Sequence, residues 1–286
     1  MRSACIDIGS NTTRLLVGEL REGELREVLA QRVFLRLRGE LTAEQVAQVA
    51  AIAGAQAAAA RAAGAADVTI VGTAAVRACP NAPDLCAAVE DAAGAPVGVL
   101  SGEDEARFAF VGATSTLAAA LPGLLCVVDV GGGSTEIVCG TVTDGVTWAV
   151  SRAAGSGTLT DEHVHQDPPG PEELAALKEA ARTALADLEP PRAIAAFAVG
   201  GSATSLRRLV GPSLDRDGVA QAVDALCCEP VAEVARRFDL HLERARVLPA
   251  GMLLLDAASE LIGLPLSIAG GGLREGVVLE RLRARS

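Results

Sequence analysis

Two short acidic turns carry the first chemistry in this sequence. One is the run DIGSNTT that starts at Asp7, and the other is the run DVGGGSTE that starts at Asp129. In the second, Gly131, Gly132 and Gly133 can reach backbone angles closed to other residues and can present bare N–H groups. Ser134 and Thr135 add hydroxyl donors. Such a concavity suits phosphate oxygens; a plain glycine-rich hairpin is the alternative. No Gly-Lys-Ser/Thr follows, so this is not a Walker A loop. The chain continues from Glu136 to Cys139 as a strand and not a helix, so it is not a Rossmann fingerprint either. A buried strand needs no charge at its mouth, so Asp129 and Glu136 flanking the turn point to function. The two carboxylates could hold Mg²⁺, directly or through waters, because that ion takes one or two protein carboxylates together with phosphate oxygens. Asp7 is a third candidate ligand, with an Asx-type turn cap as its structural alternative. Ser10, Asn11 and Thr12 offer phosphate donors beside it.

A third acidic site is the run SGEDEAR from Ser101 to Arg107. Glu103 and Asp104 suit the first turn of a helix, where carboxylates complement the dipole. Glu105 lies about one turn from Ser101 and Phe108, on a face leading inward, where a carboxylate could orient and deprotonate a water. Arg77 follows a strand and shares a polar turn with Asn81. Its guanidinium fork matches phosphate, and a solvated surface Arg is the alternative. Two further glycine turns, one at Gly200, Gly201 and Ser202 and one at Gly270 to Gly276, open helices and could meet an anion. Packing at strand-to-helix corners explains such glycines too. His163, His165 and His241 show no metal-ligand spacing with the cysteines.

The elements that position these groups alternate between strand and helix, which makes the chain α/β. Strands are expected at 3–8, 14–20, 68–72, 97–100, 124–128, 194–199 and 266–269. Helices are expected from Thr42 to Ala63, over 83–93, from Ser101 toward Ala120, from Pro171 to near Leu188, over 202–210, through a stretch from Pro230 to Ile262, and over 273–283. The segments Asp7–Gly18 and Asp129–Gly140 align without gaps, sharing Asp, Gly, Thr and the closing Gly. Each begins one half of the chain, so two similar lobes are expected, with their acidic turns on opposite walls of one cleft. Pro122-Gly123 is the best breakpoint between them.

Composition narrows the partners. The net charge is −11, and the aromatic residues are five Phe, one Trp and no Tyr, so a nucleic-acid surface and base stacking are not expected. A polyanionic substrate therefore needs local help from metal, backbone N–H groups and Arg. The seven cysteines sit mostly in apolar runs and read as reduced, buried small residues, which fits a cytoplasmic setting. No signal peptide and no membrane span are expected.

The ordered set DIGSNTTRLLVG, GTAAVRACPN, LSGEDEAR, VVDVGGGSTEIV, AVGGSATS and GGGLREG resembles the exopolyphosphatase and guanosine pentaphosphate phosphohydrolase family, a branch of the actin, hexokinase and heat-shock ATPase superfamily. The resemblance implies two ribonuclease-H-like lobes with an interlobe cleft, over 1–122 and 123–272, with the last helix, about 273–286, returning to the first lobe. It implies that Glu105 is the general base and that Asp129 and Glu136 serve the metal and the terminal phosphate. It further implies that Asp7, Asn11, Arg77, Gly132, Ser134 and Gly201 line a phosphate channel. The implied reaction is Mg²⁺-dependent hydrolysis of the terminal phosphoanhydride of inorganic polyphosphate or guanosine pentaphosphate. A need for K⁺ and a homodimer are both left open. Three departures stand out: the chain stops after the second lobe, the segment after Val33 is short, and Thr158 stands where the family often has Arg. Binding of polyphosphate or guanosine phosphates without turnover is one rival expectation, and an ATP-dependent kinase on the same fold is another.

Overall fold

The structure is a computed structural model that describes residues 1–117, 121–211, 213–214 and 216–285. The chain forms two units. The first comprises Met1–Ser115 and Gly271–Ser286, and the second Thr116–Gly270.

The first unit begins with a meander of β1 (Arg2–Ile8), β2 (Thr12–Arg21) and β3 (Glu24–Phe34). A two-residue turn joins β2 to β3 with Glu22 and Gly23 both at positive φ, the conformation that matches strand twist. The sequence reading left β3 unassigned, because this edge strand is mostly exposed and rich in charge. Helix α1 (Ala43–Ala62) follows. Thr42 Oγ1 accepts from the Gln45 amide at 3.2 Å, while Gln45 Oε1 accepts from the Thr42 amide at 2.9 Å, closing the expected capping box. Then come β4 (Asp67–Gly72), the single turn α2 (Ala74–Arg77), α3 (Ala82–Ala93), β5 (Val97–Val99) and α4 (Gly102–Thr114). Helix α4 ends at Thr114, and the expected continuation to Ala120 runs onto residues 118–120, which lie outside the described residues. The sheet order is β3-β2-β1-β4-β5, with β1, β4 and β5 parallel. Helices α1 and α3 bury one face of this sheet around Ile6, Leu15, Val17 and Ile70.

The second unit repeats the plan. Strands β6 (Leu125–Val130), β7 (Thr135–Thr141) and β8 (Gly145–Arg152) form a meander, followed by α5 (Ser156–His163), α6 (Pro171–Thr183), β9 (Ala195–Val199), α7 (Gly200–Val210), β10 (Ser213–Leu214), α8 (Arg216–Cys227), α9 (Val231–Arg237), α10 (Leu242–Ile262) and β11 (Leu266–Ile268). The order β8-β7-β6-β9-β11 matches that of the first sheet, with β10 added at the edge. Each unit therefore has the strand order expected of a ribonuclease-H-like lobe. The helical stretch expected from Pro230 to Ile262 is two helices. Asp239 takes a left-handed conformation between them, and His241 caps α10 by accepting from the Glu243 amide at 3.3 Å.

The last helix, α11 (Leu273–Arg283), packs on α4, β1 and β2 of the first unit. Val277, Val278 and Leu282 close a core over Cys5, Leu16, Val71 and Phe108.

One cysteine expectation is corrected. Cys126 and Cys139 face each other directly across β6 and β7, with Cα atoms 4.3 Å apart, and they form a disulfide. Sequence alone places both in apolar runs but does not reveal which residues a hairpin register opposes.

Candidate active site

The internal repeat is a repeat of structure. In the first unit Asp7, the last residue but one of β1, pairs with Arg14 on β2, and the Gly9 amide donates to the Thr12 carbonyl at 3.0 Å. In the second unit Asp129 pairs with Glu136, and the Gly131 amide donates to the Ser134 carbonyl at 2.9 Å. The turn and the register are the same, but the residue opposite the aspartate changes sign. Asp7 Oδ2 lies 3.6 Å from the Arg14 guanidinium. Asp129 instead faces a second carboxylate, that of Glu136.

The second unit holds that hairpin with unusual care. Glu136 is buried, and Ser151 on β8 donates to its Oε1 at 2.7 Å. Asp129 abuts Gly200, where an added methyl would lie 2.2 Å from Oδ1; Gly200 also has φ +84°. A side chain there would both strain the backbone and displace the carboxylate. The glycine turn is fixed from behind by the start of α5. The amides of Gly157 and Thr158 donate to the Gly132 carbonyl at 2.9 and 3.1 Å, and the Ser156 amide donates to the Gly131 carbonyl at 2.9 Å. These bonds anchor the carbonyls. The amides of Gly132, Gly133 and Ser134 donate to no backbone carbonyl among the described residues. The result is a cluster of amide donors beside two carboxylates.

The helix α7 begins at Gly200 itself. Gly201 packs against Arg244 of α10, a buried Arg whose guanidinium would lie 2.4 Å from a methyl added at Gly201. Ser202 is fully buried, with its hydroxyl against Gly251 of α10. That hydroxyl has no hydrogen-bond partner among the described residues.

The first unit brings Arg77 and Glu105 together. Arg77 Nη1 donates to Glu105 Oε1 at 2.5 Å and to the Leu100 carbonyl at 2.6 Å. Glu105 is only 5% exposed, whereas Glu103 is exposed and Asp104 engages the helix cap, its amide donating to Ser101 Oγ at 3.1 Å. Of the three acids, Glu105 alone points inward. Ser10 and Thr12 are buried, and the segment after β3 is stitched along their turn. The Leu35 amide donates to the Asn11 carbonyl at 3.1 Å, and the Leu37 amide to the Ser10 carbonyl at 2.8 Å. Asn81 holds the other end of that segment, bonding the Leu41 amide and carbonyl at 3.0 and 2.9 Å.

Asp7 is 5% exposed, and its Oδ1 has no hydrogen-bond partner among the described residues. Burial raises its pKa above the ordinary carboxylate value, and Arg14 and Arg274 act in the opposite direction. Among the described residues no three His, Cys, Asp or Glu side chains gather as a protein-only metal cage. Sequence reasoning did not pick out Ser151, Ser156 or Arg244 for the site, and it met Arg38 only as part of the short segment after Val33. The cluster Gly155-Ser-Gly-Thr158 was the one available signal for α5. The others act through β-register or tertiary packing, which leave no local mark.

The model of the Ppx/GppA phosphatase family matches residues 24–285. Exopolyphosphatase 1 of Mycobacterium tuberculosis is 29% identical over 306 residues, covering 99% of this chain and 88% of that protein. The Ppx/GppA family member of Aquifex aeolicus has a solved structure that superposes with a TM-score of 0.84 at 27% identity, covering 100% of this chain and 99% of that one. An exopolyphosphatase structure from Cytophaga hutchinsonii shares the fold with a TM-score of 0.88 at 20% identity, covering 99% of this chain and 98% of that one. The chain belongs to the Ppx/GppA phosphatase family.

Proposed function

We propose that the protein hydrolyses the terminal phosphoanhydride bond of a linear phosphate chain, inorganic polyphosphate or guanosine pentaphosphate, with Mg²⁺. The observation that carries this reading is the Asp129–Glu136 pair beside the amide donors of residues 132–134. Two facing carboxylates, with no third His, Cys, Asp or Glu gathered beside them among the described residues, suit a hard cation that keeps waters and takes phosphate oxygens. Bound there, Mg²⁺ would supply charge neutralisation on the phosphate.

The residues divide the remaining work. Glu105 takes the proton of the attacking water. Its partner Arg77 holds it in place by an ion pair, and Arg77 is itself a phosphate-binding fork. The amides of Gly132, Gly133 and Ser134 meet the phosphoryl oxygens as charge develops, with no reorganisation because α5 already holds the turn. Asp129 and Glu136 hold the cation, and Ser151 fixes Glu136. Asn11 and the amides of its turn bind further phosphate oxygens. The names and families of the relatives support a phosphate-chain substrate.

The test is phosphate release from polyphosphates of defined length and from guanosine pentaphosphate, with and without Mg²⁺. Glu105→Gln is expected to keep fold and ligand binding and to lose roughly 10²–10⁴ in turnover. Wild-type turnover in that variant would remove Glu105 as the base. Binding without turnover is the second reading, motivated by the short segment after Val33 and by Thr158. It predicts calorimetric binding with no phosphate released by the wild type.

A further inference from the structure

Arg38 lies in the short segment after β3, outside every element, yet it reaches back to the first acidic turn. Its Nη1 donates to the Ser10 carbonyl at 2.9 Å, and its Nη2 donates to Asn11 Oδ1 at 2.9 Å. One planar guanidinium thus spans a backbone and a side-chain acceptor on adjacent residues, the two-pronged geometry that Lys cannot reproduce.

The chemistry of that contact fixes the orientation of Asn11. A guanidinium has donors and no acceptor, so only the oxygen end of the Asn11 amide can face it. The Nδ2 end must then point the other way, and it donates to no acceptor among the described residues. Without Arg38 the amide could rotate and present Oδ1, whose lone pairs would repel an anion. We propose that Arg38 is a positioning residue for phosphate binding: it consumes the acceptor end of Asn11 and leaves the turn at Ser10–Asn11 a pure donor surface for a phosphate chain. The Leu35 and Leu37 amides register the segment on the same two residues, which holds Arg38 in place.

This inference rests on the phosphate-chain reading, and the experiment separates the two. Wild type, Arg38→Lys, Arg38→Gln, Asn11→Ala and the double variant Arg38→Gln/Asn11→Ala are compared for phosphate release from inorganic tripolyphosphate and for its binding by calorimetry. Thermal unfolding of each checks the fold. Arg38→Lys and Arg38→Gln are expected to raise KM and Kd by roughly tenfold with kcat within about twofold, the pattern of lost uniform binding. In the Asn11→Ala background, Arg38→Gln is expected to add less than about twofold, because its effect acts through Asn11. Full activity in Arg38→Lys would show that charge alone suffices and would overturn the proposal, as would additive effects in the double variant. A wild type that binds tripolyphosphate in an Arg38-dependent way but releases no phosphate would refute hydrolysis and support the positioning role. A wild type that neither binds nor cleaves it would overturn both.

Discussion

The position seven residues after each hairpin aspartate holds Arg14 in one unit and Glu136 in the other. That single difference separates an aspartate opposed by a guanidinium from one opposed by a second carboxylate. Asp7 remains a cost to the fold, since burial raises its pKa. A raised folded pKa means that the native state binds more protons than the unfolded chain. The stability of Asp7 is therefore fully present below the ordinary carboxylate range and is lost as pH rises through the raised value. Asp7→Asn is expected to melt at a higher temperature than wild type at pH 7, and the gap is expected to close toward pH 4. Calorimetry across that range checks the sign, and a variant that melts lower at pH 7 would refute it. Phosphate release is expected to fall by about tenfold or more in the same variant, the usual exchange of stability for function at such sites.

At the scale of elements, the helices that frame the site meet through glycines. An added methyl at Gly276 of α11 would lie 2.1 Å from the Phe108 carbonyl, and one at Gly112 of α4 would lie 1.9 Å from the Gly272 carbonyl. Backbone cannot yield as a flexible side chain can, so the helices would have to separate. Gly276→Ala is expected to destabilise the fold by about 1–3 kcal/mol, lowering Tm by roughly 2–4 °C per kcal/mol at this chain length. An unchanged melting temperature would contradict the close packing. Many elements were legible because their signals are local. Thr42, Gln45 and Gly64 bracket α1, and the apolar run before Asp129 marks β6. Where the deciding contact is distant the signal fails. Strand β3 alternates weakly because it is an edge, and α5 is defined by carbonyls of a turn 25 residues earlier, as the Ser156–Gly131 bond shows.

At the scale of the whole molecule, the first unit is built from both ends of the chain. Val277, Val278 and Leu282 cover the side of its sheet that carries Cys5, Leu16 and Val71. A chain ending at Gly272 is expected to lose cooperative unfolding of that unit and to bind a hydrophobic dye, with near-UV circular dichroism reduced. Native-like melting of the truncated chain would refute this. By itself the sequence determined the α/β class, the repeated acidic turn and the residue types for phosphate and cation chemistry. Those depend on local periodicity and on side-chain functional groups. Only the tertiary structure decided that Asp129 opposes Glu136 while Asp7 opposes Arg14, that Arg77 holds Glu105, and that Arg38 orients Asn11. Register and packing bring together residues far apart in the chain, and no local pattern records that proximity.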